Sequence, residues 1–132
     1  MNQAAGKLIS IEGGEGAGKT TVLNAVRGFF EQRGISVVST REPGGTPLGE
    51  KVRELLLAPG NRICAEAELL LMFASRAQLA AELIKPELAQ GHFVLSDRFT
   101  DASFAYQGGG RGIAEAKIAE LERSYVGFKP DL

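Results

Sequence analysis

The chain lacks any excess of basic charge: Lys and Arg number 15 against 16 Asp and Glu, a net charge of −1. A protein that binds nucleic acid through its backbone normally carries a basic surplus, so no nucleic-acid partner is expected and any anion site must be local. Cysteine occurs once, as Cys64, which rules out an internal disulfide and suits a reducing cytosol. Cys64 has no Cys-rich or His-rich company, and no role is assigned to it. The single histidine, His92, opens an apolar segment and reads as structural. Residues Met1 to Gly6 contain no apolar core of signal-peptide length, and no apolar run elsewhere is long enough to span a bilayer. A cytoplasmic location without a membrane partner is the expectation. What is plentiful is glycine. Many of the 17 glycines fall in clusters at 13–18, 44–49 and 108–112, which suggests loops shaped around something rather than a flexible linker. At 132 residues, the chain fits one domain, taken as 1–132.

Leu8 to Glu12 (LISIE) reads as a short buried strand. Thr20 to Arg33 reads as a helix, with Val22, Val26, Phe29 and Phe30 on one face and Gly34 as the stop. Ile35 to Thr40 is a second strand. Strand, helix and strand with short connections form a βαβ unit and imply a parallel sheet. Thr46 and Pro47 look like the N-cap and first-turn proline of a helix running to about Leu57. From Ala65, Leu69, Phe73, Ala77, Ala80 and Ile84 recur at helical intervals. Pro86 is expected to kink or restart this helix, and Gly91 to end it. His92 to Ser96 is a third strand, and Ala102–Gln107 is a candidate helix. Ile113 to Val126 is a final helix with Ile118, Leu121 and Tyr125 on one side. Lys129 to Leu132 resembles the approach to another strand.

Residues 13–20, GGEGAGKT, match G-x-x-x-x-G-K-[ST] in full, between a buried strand and an amphipathic helix. Glycines let successive backbone N–H groups turn inward onto phosphate oxygens, and the following helix adds its positive end. Lys19 supplies a point charge to the transferring phosphate, and the Thr20 hydroxyl can hold Mg²⁺. The bland alternative is a glycine-rich turn with a surface lysine, which the flanking strand and helix disfavour. The G-x-G-x-x-G fingerprint fails, because its sixth position is Lys19. The implied fold is α/β, a P-loop NTPase-type parallel β-sheet flanked by α-helices and incomplete at the C-terminal side. An N-K-x-D or D-x-x-G segment of a GTPase does not occur.

Asp97 closes the third strand at the edge where open α/β sheets bind ligands, and could face Thr20 across a Mg²⁺ ion. Arg98 beside it suggests a second anion, the phosphate of an acceptor; the bland reading is a surface ion pair. Arg41 to Thr46 follows the second strand and should reach the same edge, though a plain turn accounts for its proline and glycines. Arg53 could be a solvated helix residue. Phe73 and Arg76 share a helix face and would suit a nucleobase, while on sequence alone Phe73 reads first as core. QGGGRG (107–112) fits either an anion nest with Arg111 or a connector.

Taken together, GGEGAGKTT (13–21), TREPGGT (40–46), LLMFASRAQL (70–79), SDRF (96–99) and AYQGGGRG (105–112) resemble the bacterial thymidylate kinase family in order and spacing. The resemblance implies transfer of the γ-phosphoryl group of ATP to dTMP. Under it, Gly13, Gly14, Glu15, Gly16, Ala17, Gly18, Lys19, Thr20 and Thr21 would bind ATP, with Lys19, Arg98 and Glu15 catalytic. Glu15 would lie near the acceptor sugar and organise the arginines. Arg53 and Arg98 would hold the dTMP phosphate, Phe73 would stack on thymine, and Arg76 would bond a thymine carbonyl. Ser103 and Gln107 would touch the base or sugar side. Tyr106 would disfavour a 2′-hydroxyl. Glu42–Pro43 would be a cis bond lining the acceptor site. Thr20 and Asp97 would hold Mg²⁺, and the family's homodimers point to a contribution from the helical stretch 65–90.

Some family members carry an arginine just after the phosphate-loop acid, where this chain has Gly16. Those with glycine there take catalytic arginines from a lid beyond the matched segment. The expectation is therefore an acceptor site and phosphate loop that turn over weakly or not at all alone. Three other readings stay open: a kinase for another acceptor, a nucleotide switch or motor module that ignores monophosphates, and a non-catalytic fragment that binds ligand or a partner chain.

Overall fold

The computed structural model describes residues 6–12, 18–60, 62–99, 103 and 108–132. Three short strands, β1 (Leu8–Ile11), β2 (Val37–Arg41) and β3 (Phe93–Asp97), form a parallel sheet in the order β1-β3-β2. The register pairs Leu8 with Val94 and Ile11 with Asp97 on one side of β3, and Arg41 with Asp97 on the other. All three strands therefore end at the same level. The parallel α/β arrangement expected from the βαβ reading is present. β1 starts at Leu8 as read and stops one residue earlier, while β2 and β3 start two and one residues later and both run one residue further.

The pleat sorts the strand residues between two faces. Leu8 and Val94 turn to the larger core, where they meet Leu69, Phe73, Leu79, Ile84, Phe99, Ile113, Ile118 and Val126. This side is covered by α3 (Ala65–Leu79), α4 (Lys85–Ala89) and α5 (Glu115–Leu121). The opposite face meets α1 (Lys19–Glu31) through Phe30 against Phe93, with ring centroids 4.9 Å apart. α1 buries no residue fully, and Val22 and Phe29 are about half exposed. The apolar stripe read from the sequence is real, but an open groove of about 400 Å³ lies beneath it, lined by Ile9, Ile11, Val26, Phe29 and Phe30. The stripe therefore meets sheet along part of its length only.

α2 (Pro47–Leu57) begins as expected: Pro47 occupies the first turn, and Thr46 Oγ1 accepts from Gly49 N–H at 2.9 Å. Gly49 is required by close approach, since a Cβ there would sit 2.6 Å from the Gly44 carbonyl oxygen. Between α3 and α4 the backbone winds as a π-helix over Ala80–Ile84, just ahead of Pro86. Proline has no N–H for the usual i→i−4 bond, so the ladder must shift there. The Gly91 stop is present at φ 83. His92 is structural as read: its Nδ1 lies 2.5 Å from Glu87 Oε2. The last helix departs from expectation. Its final turn, Glu122–Val126, is π-wound, which buries Val126 and leaves Tyr125 64% exposed. The altered winding rotates Tyr125 off the Ile118 face.

The terminal residues lie beside β1. Asp131 N–H donates to Leu8 O at 2.7 Å, and Leu132 brackets Ile9, its N–H reaching Leu8 O at 3.4 Å and its carbonyl accepting from Ser10 N–H at 2.9 Å. The last two residues thus hydrogen-bond along β1, without forming a strand. Of the candidate helix Ala102–Gln107, Ser103 is described and helical; the rest lies outside the described residues. Arg111 is tied to Glu68 at 2.8 Å and to the Ile63 carbonyl at 3.0 Å, so in this fold it clamps its loop to α3.

Candidate active site

The strand register brings the chemistry to one edge. Glu12 follows β1, Glu42 follows β2, and Asp97 and Arg98 close β3. Two backbone bonds level these ends: Glu42 N–H donates to Asp97 O, and Arg98 N–H to Ile11 O, each at 3.0 Å. This is the carboxyl edge of a parallel sheet, where such folds place ligands. Beside it lies a depression of about 380 Å³ bordered by Leu23, Thr40, Arg41, Gly45, Glu50 and Asp97. A larger hollow of about 560 Å³ between α3 and residues 112–121 is lined mainly by apolar and small residues and lies away from these groups.

Gly18 enters α1 with φ 106, a left-handed conformation that favours glycine, and Lys19 is the first helical residue. The Lys19 ammonium lies 2.8 Å from Asp97 Oδ1, with the two side chains 15% and 30% exposed. That oxygen has no hydrogen bond of acceptable direction, so the contact is an ion pair held by proximity. Thr20 follows on the exposed side of the helix start, with Thr21 next to it. Gly13, Gly14, Glu15, Gly16 and Ala17 lie outside the described residues, as do Tyr106 and Gln107.

A buried polar cluster stands next to Asp97 and Arg98. Arg76, on α3, is fully buried. Its Nε donates to both oxygens of Glu42, at 3.0 and 2.5 Å. Its Nη1 donates to Ser103 Oγ at 3.0 Å, and its Nη2 to the Phe99 carbonyl at 3.2 Å. The guanidinium carbon also lies 4.7 Å from the Phe73 ring centroid. Burial pushes the Glu42 carboxyl up to about 7; Arg76 opposes this, and Glu12 adds to it by like-charge repulsion. The Glu42–Pro43 bond is cis.

Arg98 is the one non-glycine residue with positive φ among those described, at 73. That region costs an arginine backbone energy and must be held by its surroundings. Ser96 Oγ donates to the Arg98 carbonyl at 2.5 Å. Arg53, on α2, donates to the Pro43 carbonyl at 3.2 Å. Arg41 pairs with Glu50 at 2.9 Å, and Glu50 also accepts from Gly45 N–H. The Arg41 hydrogen bond is the main reason the Glu50 carboxyl is lowered.

Of the residues expected at the acceptor site, Glu42, Arg76 and Ser103 are joined directly, and Phe73 lies against Arg76. Phe73 belongs to the core, 3% exposed, as its bland reading held. Arg53 stands at the same loop but one element away. Glu12 was missed: it read as the last residue of a strand, yet its Oε1 accepts from Phe99 N–H at 2.9 Å. An acid closing a mostly apolar strand, immediately ahead of the G-x-x-x-x-G-K-[ST] segment, was the available signal.

The family model for thymidylate kinase matches residues 11–132. The chain belongs to the thymidylate kinase family. It is 59% identical over 129 residues to a thymidylate kinase of Hahella chejuensis, covering 96% of this chain and 62% of that protein. It is 56% identical over 127 residues to one of Pseudomonas putida, covering 95% and 61%. A crystal structure of thymidylate kinase from Ehrlichia chaffeensis superposes with a TM-score of 0.82 at 38% identity, covering 97% of this chain and 72% of that one. The chain thus spans about three fifths of the length of these curated relatives. Among the described residues, no helix is long and apolar enough to cross a membrane.

Proposed function

We propose that this chain carries the donor-phosphate and acceptor sites of an ATP-dependent kinase that converts dTMP to dTDP. The observation that carries the reading is the convergence of Lys19, Asp97 and Arg98 on one sheet edge, in a chain of the thymidylate kinase family. In this reading residues 13–21 take the ATP phosphates, with Lys19 leaving Asp97 to meet them. Arg98 and Arg53 neutralise the dTMP phosphate. The thymine lies over Phe73 beside Arg76 and Ser103, with Tyr106 and Gln107 on the sugar side and Glu42–Pro43 at the wall. Because Phe73 and Arg76 are covered in the structure, acceptor entry opens that cover. Glu15 organises the arginines. A phosphate oxygen of dTMP is already anionic, so no strong general base is required, and the protein's work is positioning and charge neutralisation.

The donors at hand fit a magnesium ion: Asp97 offers a carboxylate oxygen without a well-directed hydrogen bond, and Thr20 an exposed hydroxyl. Among the described residues no three acidic or His/Cys groups cluster, which suits a cation bound mainly by phosphates and water. When bound, Mg²⁺ would neutralise charge on the phosphates of ATP. We also propose a cytoplasmic homodimer with α3 and α4 contributing to the contact, and no nucleic-acid or membrane partner. Equilibrium binding tests the reading. The chain should bind dTMP in preference to dUMP, dCMP and dGMP, and Arg98→Ala should weaken it. A folded sample with no preference for dTMP would leave only the phosphate-loop assignment.

A further inference from the structure

The backbone of Phe99, which follows Arg98, is held at both its N–H and its carbonyl. Glu12 accepts from the Phe99 N–H at 2.9 Å, and Arg76 donates to the Phe99 carbonyl at 3.2 Å. Arg76 is itself fixed by Glu42 through Nε. A polar chain thus runs Glu12, Phe99 backbone, Arg76, Glu42, and joins the ends of all three strands. Arg98 sits just ahead of Phe99, with its own N–H bonded to Ile11 O and its carbonyl bonded by Ser96. Its φ of 73 is a conformation that an arginine keeps only when neighbours enforce it.

We infer that Glu12 and Glu42 are positioning residues: by fixing the two polar groups of the Phe99 backbone they hold the Arg98 backbone left-handed and aim its guanidinium at the acceptor phosphate, without touching that phosphate themselves. The inference rests on the proposed acceptor site and assigns its geometry to two carboxylates. Glu12 acts directly on the peptide that joins Arg98 to Phe99, and Glu42, through Arg76, on the Phe99 carbonyl one peptide further on. Oxygen acceptors suffice for Glu12, since what it receives is a backbone N–H; its negative charge is secondary. This separates its role from electrostatic steering, which a neutral amide would abolish.

The experiment compares Glu12→Ala and Glu12→Gln with the parent chain, in two measurements. The first is amide hydrogen exchange and ¹⁵N chemical shift at Phe99 and at the Arg98 Nε–H, without ligand. The second is calorimetric binding of dTMP and of thymidine. Glu12→Ala should speed Phe99 exchange and shift the Arg98 Nε–H signal. It should weaken dTMP about tenfold, the worth of roughly one net hydrogen bond, while thymidine changes less than about twofold. Glu12→Gln, which keeps the acceptor oxygen, should restore all of these. Glu42→Gln should leave the Phe99 N–H protected, since that bond is to Glu12, and should shift the Arg76 Nε–H signal. The inference is overturned if Glu12→Ala leaves Phe99 unchanged, if dTMP and thymidine weaken in parallel, or if Glu12→Gln behaves like Glu12→Ala. Should the parent chain bind no dTMP, the functional reading falls by that result, and the Phe99 and Arg98 signals alone decide whether the clamp exists.

Discussion

Replacing Arg76 by methionine isolates the energetics of the buried cluster. Methionine keeps much of the apolar length but removes every donor. Glu42, 3% exposed, then keeps a carboxylate with no cation beside it, and Ser103 Oγ and the Phe99 carbonyl lose the Arg76 donors. Removing one partner of a buried ion pair costs about 3–5 kcal/mol, a large share of the roughly 5–15 kcal/mol that holds a domain together. The loss should depend on pH. In the parent protein the Glu42 carboxyl is raised from 4.5 to about 7, so between those values the folded state binds more protons than the unfolded state. Stability from this group is therefore fully present below about 4.5 and is lost as pH rises through about 7, by at most about 3 kcal/mol. Without Arg76 the attraction that keeps Glu42 ionised disappears, its carboxyl rises further, and protonation at pH 5 relieves much of the penalty. Urea unfolding followed by circular dichroism at pH 5 and pH 8 measures this. Arg76→Met should be much less destabilised at pH 5, and adding Glu42→Gln should recover most of the loss at pH 8. A cost below about 1 kcal/mol, equal at both pH values, would refute the reasoning.

Other outcomes follow from single contacts. Asp97→Asn should weaken Mg²⁺-dependent binding of an ATP analogue about tenfold while leaving Mg²⁺-free binding nearly unchanged, in a fluorescence titration, because the amide is a poor ligand for the hard cation. Thr46→Ala should lower unfolding free energy by about 1 kcal/mol, read from a denaturant midpoint, through loss of the bond to Gly49 N–H. Gly49→Ala should cost about 1–3 kcal/mol in the same assay, since its new methyl meets the Gly44 carbonyl oxygen at 2.6 Å. Arg111→Ala should cost under about 1 kcal/mol, as an exposed pair contributes little.

The elements with strong local signals were legible. The Thr46-Pro47 start, the Gly91 stop and the parallel sheet follow from capping, backbone and connection rules that act over a few residues. The cis bond at Glu42–Pro43 came from the resemblance, since most X-Pro bonds are trans. What was not legible depends on distant partners. The exposure of Val22 and Phe29 reflects what the sheet offers beneath α1, which periodicity does not encode. The outward turn of Tyr125 follows from the π-wound last turn of its helix. For the candidate site, motifs identified Lys19, Asp97 and Arg98 but not the ion pair that joins the first two. Nor did they reveal that Arg76 is committed to Glu42, Ser103 and the Phe99 carbonyl. Glu12 acts on a residue 87 positions away, a relation that spacing along the chain does not reveal.

The arrangement of the sheet ranks the parts of the site by how readily they come loose. β3 is hydrogen-bonded on both sides, by β1 and β2, and it delivers Asp97 and Arg98. α1, which begins at Lys19, is attached without a single fully buried residue. In hydrogen-exchange terms these are the slow and fast ends of the stability ladder, and partial opening should release α1 while β3 stays paired. In the proposed site, such a state would lose its grip on the donor nucleotide yet still present Arg98, the arginine proposed to meet the acceptor. The two halves of the proposed site would therefore fail separately, the donor side first.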